Sequence, residues 1–289
     1  MLYFLIMGMM KGAVFALAGW GFSIILGILG IVNFNHGIFF VLGGYLTAAL
    51  FALGLPPWLS ILCGSVLVGI YAVGVQRLLI SRVMSQSHMM VLVLTLGVAI
   101  VSREVMGFFF GHDERFLVVS GISDRTFSFF GYIFPALDVI MLLVSVSVFF
   151  LFYYLFNHTA AGLTLRIIGE NTEIAKILGL DVEGSYDLAM FFCGLWTAMA
   201  GSFTVFILPI GLHQDAYWTI MSFLVVIMGG AGNLFGTFIS ALIVGAILFI
   251  SSIYVSGYSD AVIYLLLLII LLCKPTGLFK SKMMVEKRI

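Results

Sequence analysis

From Lys11 to Arg77 the chain runs without an intervening Asp, Glu, Lys or Arg. That stretch exceeds the roughly 20 residues of one membrane-spanning helix, so several helices must lie inside it. Polar residues break it at Asn33-Phe34-Asn35-His36-Gly37, and paired prolines break it at Gly54-Leu55-Pro56-Pro57. The pattern predicts membrane segments at 2–32, 38–53 and 57–80, then at 89–111, 132–156 and 188–210. A second uncharged stretch, Ala216 to Ser259, divides at Gly229-Gly230-Ala231-Gly232-Asn233, and 260–273 follows. The pieces 38–53, 217–229 and 260–273 are short for a crossing, which suits half-helices or re-entrant segments buried in protein. The expectation is an all-α polytopic bundle of eight or nine membrane segments with discontinuous or re-entrant helices. The break at Asn33–Gly37 and a related one at Gly229–Asn233 suggest an internal inverted repeat around a central path.

Composition agrees. Of 289 residues 63% are hydrophobic and 9% charged, and the mean hydropathy is +1.23, which excludes a soluble domain. Thirteen basic residues balance thirteen acidic ones, so no nucleic-acid partner is expected. Cys63, Cys193 and Cys273 stand far apart in apolar runs and read as packing residues, without disulfide or metal spacing. Met1–Met10 lacks the basic residue and cleavage site of a signal peptide and reads as retained helix. The tail 274–289 carries Lys274, Lys280, Lys282, Lys287 and Arg288 against Glu286, and the loop 77–88 carries Arg77 and Arg82. Both are expected to be cytoplasmic. Counting crossings puts loop 157–187 on the same side and 112–131 outside, with the N-terminus outside unless an early segment is re-entrant.

Asn33, Asn35 and His36 need hydrogen-bond partners inside an apolar stretch. They read either as a broken helix lining a substrate path or as a capped interfacial turn with Asn35 as N-cap. Arg103 and Glu104 interrupt 89–111, and each needs a partner on another helix or a route to the outer interface. Glycines at Gly8 and Gly12, Gly43 and Gly44, and Gly194 and Gly201 suit closely packed helices. Gly230 to Gly236 lacks dinucleotide-binding spacing, and no phosphate loop is present. Glu170 to Gly179 reads as a short amphipathic helix, capped by Asn171 or Thr172 and ended by Gly179, with Ile174, Ile177 and Leu178 on one face. That face needs a partner or a membrane interface. No nucleophile–base pair or metal cluster is legible, because His88, His112, His158 and His213 fall in expected loops, so no enzymatic activity is predicted.

These residues together resemble the permease subunits of branched-chain amino acid ABC importers, specifically the paralogue with an Asn-Phe-Ala-His-Gly signature. Here Gly27 to Gly37 fits that signature with Asn35 in place of Ala, and Gly43-Gly44-Tyr45 fits the Leu-Gly-Ala-Tyr that follows. Gly162 to Asn171, continuing through Glu173, Ala175 and Gly179 to Asp181-Val182, is similar to the cytoplasmic coupling loop, and Gly229–Asn233 with Gly236 to a late Gly-Gly-x-Gly motif. The resemblance implies one permease domain over 1–289 in a bacterial-type inner membrane, with coupling loop 157–187 and a basic cytoplasmic tail 274–289. It implies as partners a second permease subunit, two ATPase subunits, an extracytoplasmic substrate-binding protein and membrane lipid. No cofactor or metal is implied. The solute would be a branched-chain or other amino acid. Urea or a small carboxylate in the same family, or a channel or secondary transporter without an ATPase, are the alternatives. Expected pathway residues are Asn33, Asn35, His36, Gly37, Gly230 and Asn233. Expected coupling residues are Glu170, Asn171, Glu173, Ile174, Ala175, Leu178 and Gly179.

Overall fold

The computed structural model describes residues 1–84, 86–119, 121–129, 131–274 and 277–279. The tail basics Lys280, Lys282, Lys287 and Arg288 therefore lie outside the described residues. Helix α1 spans Leu2–Ile28 and α2 His36–Ala52. Helix α3 (Pro57–Val75) starts on a proline at N1, where no backbone N–H is needed, and continues through a π-helical turn, Gln76–Ile80, into α4 (Ser81–Val83). Next come α5 (His88–Phe110), the hairpin β1 (Thr126–Phe129) and β2 (Tyr132–Pro135), and α6 (Ala136–His158). The remaining helices are α7 (Ala160–Glu170), α8 (Thr172–Ile177), α9 (Val182–Thr204), α10 (Asp215–Gly229), α11 (Leu234–Tyr254) and α12 (Ser259–Cys273). Among the described residues five apolar helices are long enough to cross a membrane: α1, α3 with its extension to Val83, α5, α6 and α11. The chain is an all-α polytopic membrane protein.

Two expected segments are corrected. The apolar run 132–156 opens as strand, because Tyr132–Pro135 pairs with β1 before helix α6 begins at Ala136. The run 188–210 is not continuous helix. Helix α9 ends at Thr204, and the following chain bonds to the segment after α5, with Arg115 N to Ile210 O and Ile210 N to Arg115 O both at 2.9 Å. These loop bonds, with Pro209 close behind, replace a further helical turn.

The contacts order the helices by depth. Tyr3 at the start of α1 packs on Tyr132 and Phe134 of β2, and the Lys11 ammonium meets both Asp138 oxygens of α6, at 2.8 and 3.0 Å. The start of α1 and the hairpin thus share one end of the bundle. The other end holds α7 and α8, where Arg77 pairs with Asp187 at the start of α9. Leu278 bonds to Met228 O beside the end of α10. Helices α1 and α11 pack antiparallel, with Gly8 against Ala246 and Gly12 against Ala241 and Leu242. Helix α9 packs on α3 in the same way, with Gly194 against Val68 and Ala72. At these crossings a Cβ would strike the facing backbone or side chain, so the glycines let the helices approach closely.

This arrangement is an inverted repeat. A long helix, a break, a shorter helix and a second long helix occur as α1, 29–35, α2, α3 and again, pointing the opposite way, as α9, 205–214, α10, α11. The break that mirrors 29–35 is therefore 205–214. The expected counterpart, Gly229–Asn233, is instead the turn between α10 and α11, and it mirrors the turn at 53–56. The second break carries no polar signature, because Val205 to Leu212 is uncharged and apolar.

Candidate functional site

The two short helices of the repeat meet at their N-termini. His36, the first residue of α2, lies beside the carbonyl of Ala18, ten residues or about 15 Å from the end of α1 at 1.5 Å per residue. Helix α2 therefore starts deep in the bundle and runs toward the hairpin end. Helix α10 starts against it and runs the other way. Gly37 rests on the carbonyl of Asp215, and its N–H donates to Thr219 Oγ1 at 2.8 Å.

Side chains close the first break. Asn33 Oδ1 accepts from the N–H of Asn35 at 2.9 Å, Phe34 N donates to Thr95 Oγ1 at 3.1 Å, and Thr219 Oγ1 reaches Phe34 O. These bonds satisfy backbone groups freed by the break, as burial demands. Asn35 holds the N-cap position of α2, but its side chain makes no capping bond. It reaches Tyr71 Oη instead, at 3.4 Å, and Tyr71 meets Ser102 Oγ at 2.6 Å. His36 is fully enclosed. Its Nε2 lies 3.1 Å from Ala18 O and 3.3 Å from Thr197 Oγ1, and Nδ1 lies 3.5 Å from Cys193 Sγ. A carbonyl only accepts, so Nε2 carries the proton and Nδ1 accepts from the thiol. His36 thereby stitches α2 to α1 and α9. Two buried amide atoms, Asn33 Nδ2 and Asn35 Oδ1, have no partner among the described residues.

Charge enters the same region from α5. Arg103 donates to Asp215 through Nε at 3.1 Å and Nη2 at 2.6 Å, which supplies the partner on another helix that the sequence required. Glu104 is exposed. Between α3 and α5 a groove of about 630 Å³ leads to Tyr71 and Ser102, with Gly74 and Gly97 keeping its walls low. Asp215, Thr219, Tyr71 and Ser102 were not anticipated. Only Asp215, the acid that immediately precedes the second uncharged run, left a visible mark in the sequence.

Gly230 and Asn233 sit apart from this cluster. Gly230 adopts a φ of +90°, and Asn233 Oδ1 caps α11 by accepting from Gly236 N at 2.9 Å. At the same end of the bundle, Asn171 caps α8 by accepting from Glu173 N and Ile174 N, and Gly179 ends it with a φ of +73°. Glu170, Asn171, Glu173 and Leu178 are exposed, as are Ile174 at 51% and Ile177 at 85%, while Ala175 is buried beneath them. Among the described residues no three His, Cys, Asp or Glu side chains converge as metal ligands would.

Residues 4–271 match the family described as branched-chain amino acid transport system / permease component. The high-affinity branched-chain amino acid transport system permease protein LivH of Escherichia coli K12 is 25% identical over 289 residues, covering 94% of this chain and 92% of the relative. The corresponding protein BraD of Pseudomonas aeruginosa is 21% identical, over 95% of this chain and 94% of its own length. No solved structure matches.

Proposed function

The chain belongs to the branched-chain amino acid transport permease family, and on that premise we propose that it forms one half of a membrane pore driven by separate ATPase subunits. It is a multi-pass membrane permease of a branched-chain amino acid ABC importer, a transport subunit. In this reading a second, homologous or identical permease completes the pore, two ATPases dock beneath it, and an extracytoplasmic protein delivers the amino acid. The membrane is the bacterial-type inner membrane, and the tail 274–289 lies in the cytoplasm with loop 157–187.

The observation that carries the reading is the exposed apolar face of α8. Ile174, Ile177 and Leu178 stand on a six-residue helix with a side-chain cap and a glycine stop, outside the long membrane-spanning helices. Burying that face on an ATPase would remove its apolar surface from water. A channel that works without an ATPase has no use for it. Glu170, Asn171, Glu173 and Gly179 fix the shape and the polar border of this coupling element, and Ala175 anchors it to the bundle. In the same reading Asn33 and Asn35 border the solute route, His36 and Gly37 hold the start of α2, and Gly230 and Asn233 shape its cytoplasmic side.

The test is co-purification with the cognate ATPase. Ile177→Asp places a charge in the apolar contact, where it is left unpaired. The variant should insert and fold but lose its ATPase subunits. A full ATPase complement in the variant would contradict the docking.

A further inference from the structure

Helix α5 is the least covered of the five spans. In its most apolar stretch 22% of the residues are buried, against 28% in α6 and 44% or more in the other three. Its buried residues, among them Val91, Thr95, Ala99 and Met106, share one side. The opposite side is a stripe of Met90, Leu94, Gly97, Val101, Glu104 and Phe108. Positions 90, 97 and 104 are seven residues apart, as are 94, 101 and 108, which is the repeat with which two long helices pack along a seam. Val101 is 63% exposed and Phe108 85%.

Two members of the stripe decide what covers it. Glu104 is exposed, and its carboxylate has neither a hydrogen bond nor an ion pair among the described residues. It lies six residues before Phe110 at the end of α5, about 9 Å at 1.5 Å per residue, and so within the roughly 30 Å hydrocarbon layer that the helix crosses. A helical side chain leans toward the N-terminus of its helix, which turns this one away from the nearer interface. An unpaired carboxylate facing lipid is costly, and such groups instead face protein or water. The exposed face of α6 shows what lipid accepts: Leu143, Phe150 and Leu151 stand on it, and no Asp, Glu, Lys or Arg occurs between Asp138 and His158.

Gly97 is the second. At Gly8, Gly12 and Gly194 a Cβ would strike a neighbouring helix, but at Gly97 it would meet nothing within 4 Å. The glycine therefore serves no packing inside this chain. It lowers the wall of the groove between α3 and α5, and a small residue on the outer face of a membrane helix lets another helix come close.

We propose that this stripe is the surface on which the second permease subunit packs. A membrane-spanning helix of that subunit lies along 90–108, approaches most closely at Gly97 and brings a hydrogen-bond donor to Glu104. In lipid such association is driven by close packing and interhelical hydrogen bonds, and the stripe supplies a site for each. Lipid chains could fill the groove beside Gly97 but would leave the carboxylate unpaired. The proposal rests on the permease reading and assigns the face by which its second subunit is held.

The test uses the transporter assembled from both permease subunits and the ATPases in lipid nanodiscs. Benzoylphenylalanine in place of Val101 or Phe108 should, on irradiation, form an adduct with the second permease subunit, identified by peptide mass spectrometry. The same residue in place of Phe150 on α6 should form none. Gly97→Leu projects into open space and Glu104→Leu replaces an exposed residue, so both variants should insert and fold. Native mass spectrometry should show the share of complexes that retain both permease subunits falling about tenfold or more in each, the loss expected for Glu104 from one charged hydrogen bond. A lipid-facing Glu104 predicts the opposite, because leucine suits hydrocarbon better than a carboxylate. Adducts to lipid alone at Val101 and Phe108, or a full complement of both subunits in the two leucine variants, overturns the α5 interface and leaves the permease function intact. A leucine-importing complex in which this chain has no second permease subunit overturns the paired-permease reading itself.

Discussion

Arg103 and Asp215 are joined by two hydrogen bonds, of 3.1 and 2.6 Å, that pin α5 to the first turn of α10. Both groups sit largely out of contact with solvent, and the pair closes the side of the region where α2 and α10 meet. An ion pair there is coupled to the geometry of both short helices, since α2 rests on Asp215 through Gly37.

Removing one partner strands the other charge. Arg103→Met and Asp215→Asn should each destabilise the protein by about 3–5 kcal/mol, and the double variant should recover much of that loss. Thermal unfolding of the detergent-purified proteins measures it. Additive losses in the double variant would show that the two residues do not act as a pair.

Gly37→Ala should fail to assemble or unfold at much lower temperature, because its Cβ would collide with the carbonyl of Asp215 and the hydroxyl of Thr219. Overpacking of this kind costs about 1–3 kcal/mol or more. Gly74→Ala is the control: nothing lies within 4 Å of its Cβ, and alanine favours helix by about 0.5–1 kcal/mol. Equal behaviour of the two variants in size-exclusion profiles and unfolding scans would contradict the close contact.

The parts of this fold that could be read from sequence are those announced by polar or conformationally special residues. The break at Asn33–Gly37, the proline start of α3 and the Asn171–Gly179 boundaries of α8 all have such marks. The break at 205–214 has none beyond Pro209 and Gly211, because Val205 to Leu212 is otherwise as apolar as the helices around it. The hairpin strand at Tyr132–Pro135 escaped for the same reason: a short apolar run does not distinguish strand from helix. Within the site, His36 and Asn33 could be picked out as polar residues in an apolar run. The groups that meet this break, Ala18 and Thr197 at His36 and Thr219 at Phe34 and Gly37, could not, since a backbone carbonyl and two threonines carry no signal until the helices are packed.

His36→Leu removes the bonds to Ala18 and Thr197, and Asn33→Leu removes the amide that holds the Asn35 backbone. Uptake per assembled complex should fall more than the amount of complex. Normal uptake per complex in both variants would reduce the cluster to a helix break.

The two ends of the bundle should differ in accessibility. In a background with Cys63, Cys193 and Cys273 replaced, a cysteine at Asp124 should react with an impermeant thiol reagent in intact cells, whereas one at Glu183 should be protected. Both positions are exposed in the structure, so the contrast reports the side of the membrane. Labelling at Glu183 from outside would reverse the orientation and move α8 away from any cytoplasmic ATPase.

The most direct measurement is leucine uptake into proteoliposomes that contain this chain, its partner permease and their ATPases, with the binding protein supplied on the receiving face. Uptake should require ATP on the α8 side and should be lost in Ile177→Asp. Leucine flux that proceeds at the same rate without ATP, or persists unchanged in Ile177→Asp, would contradict an ATP-driven importer coupled through α8.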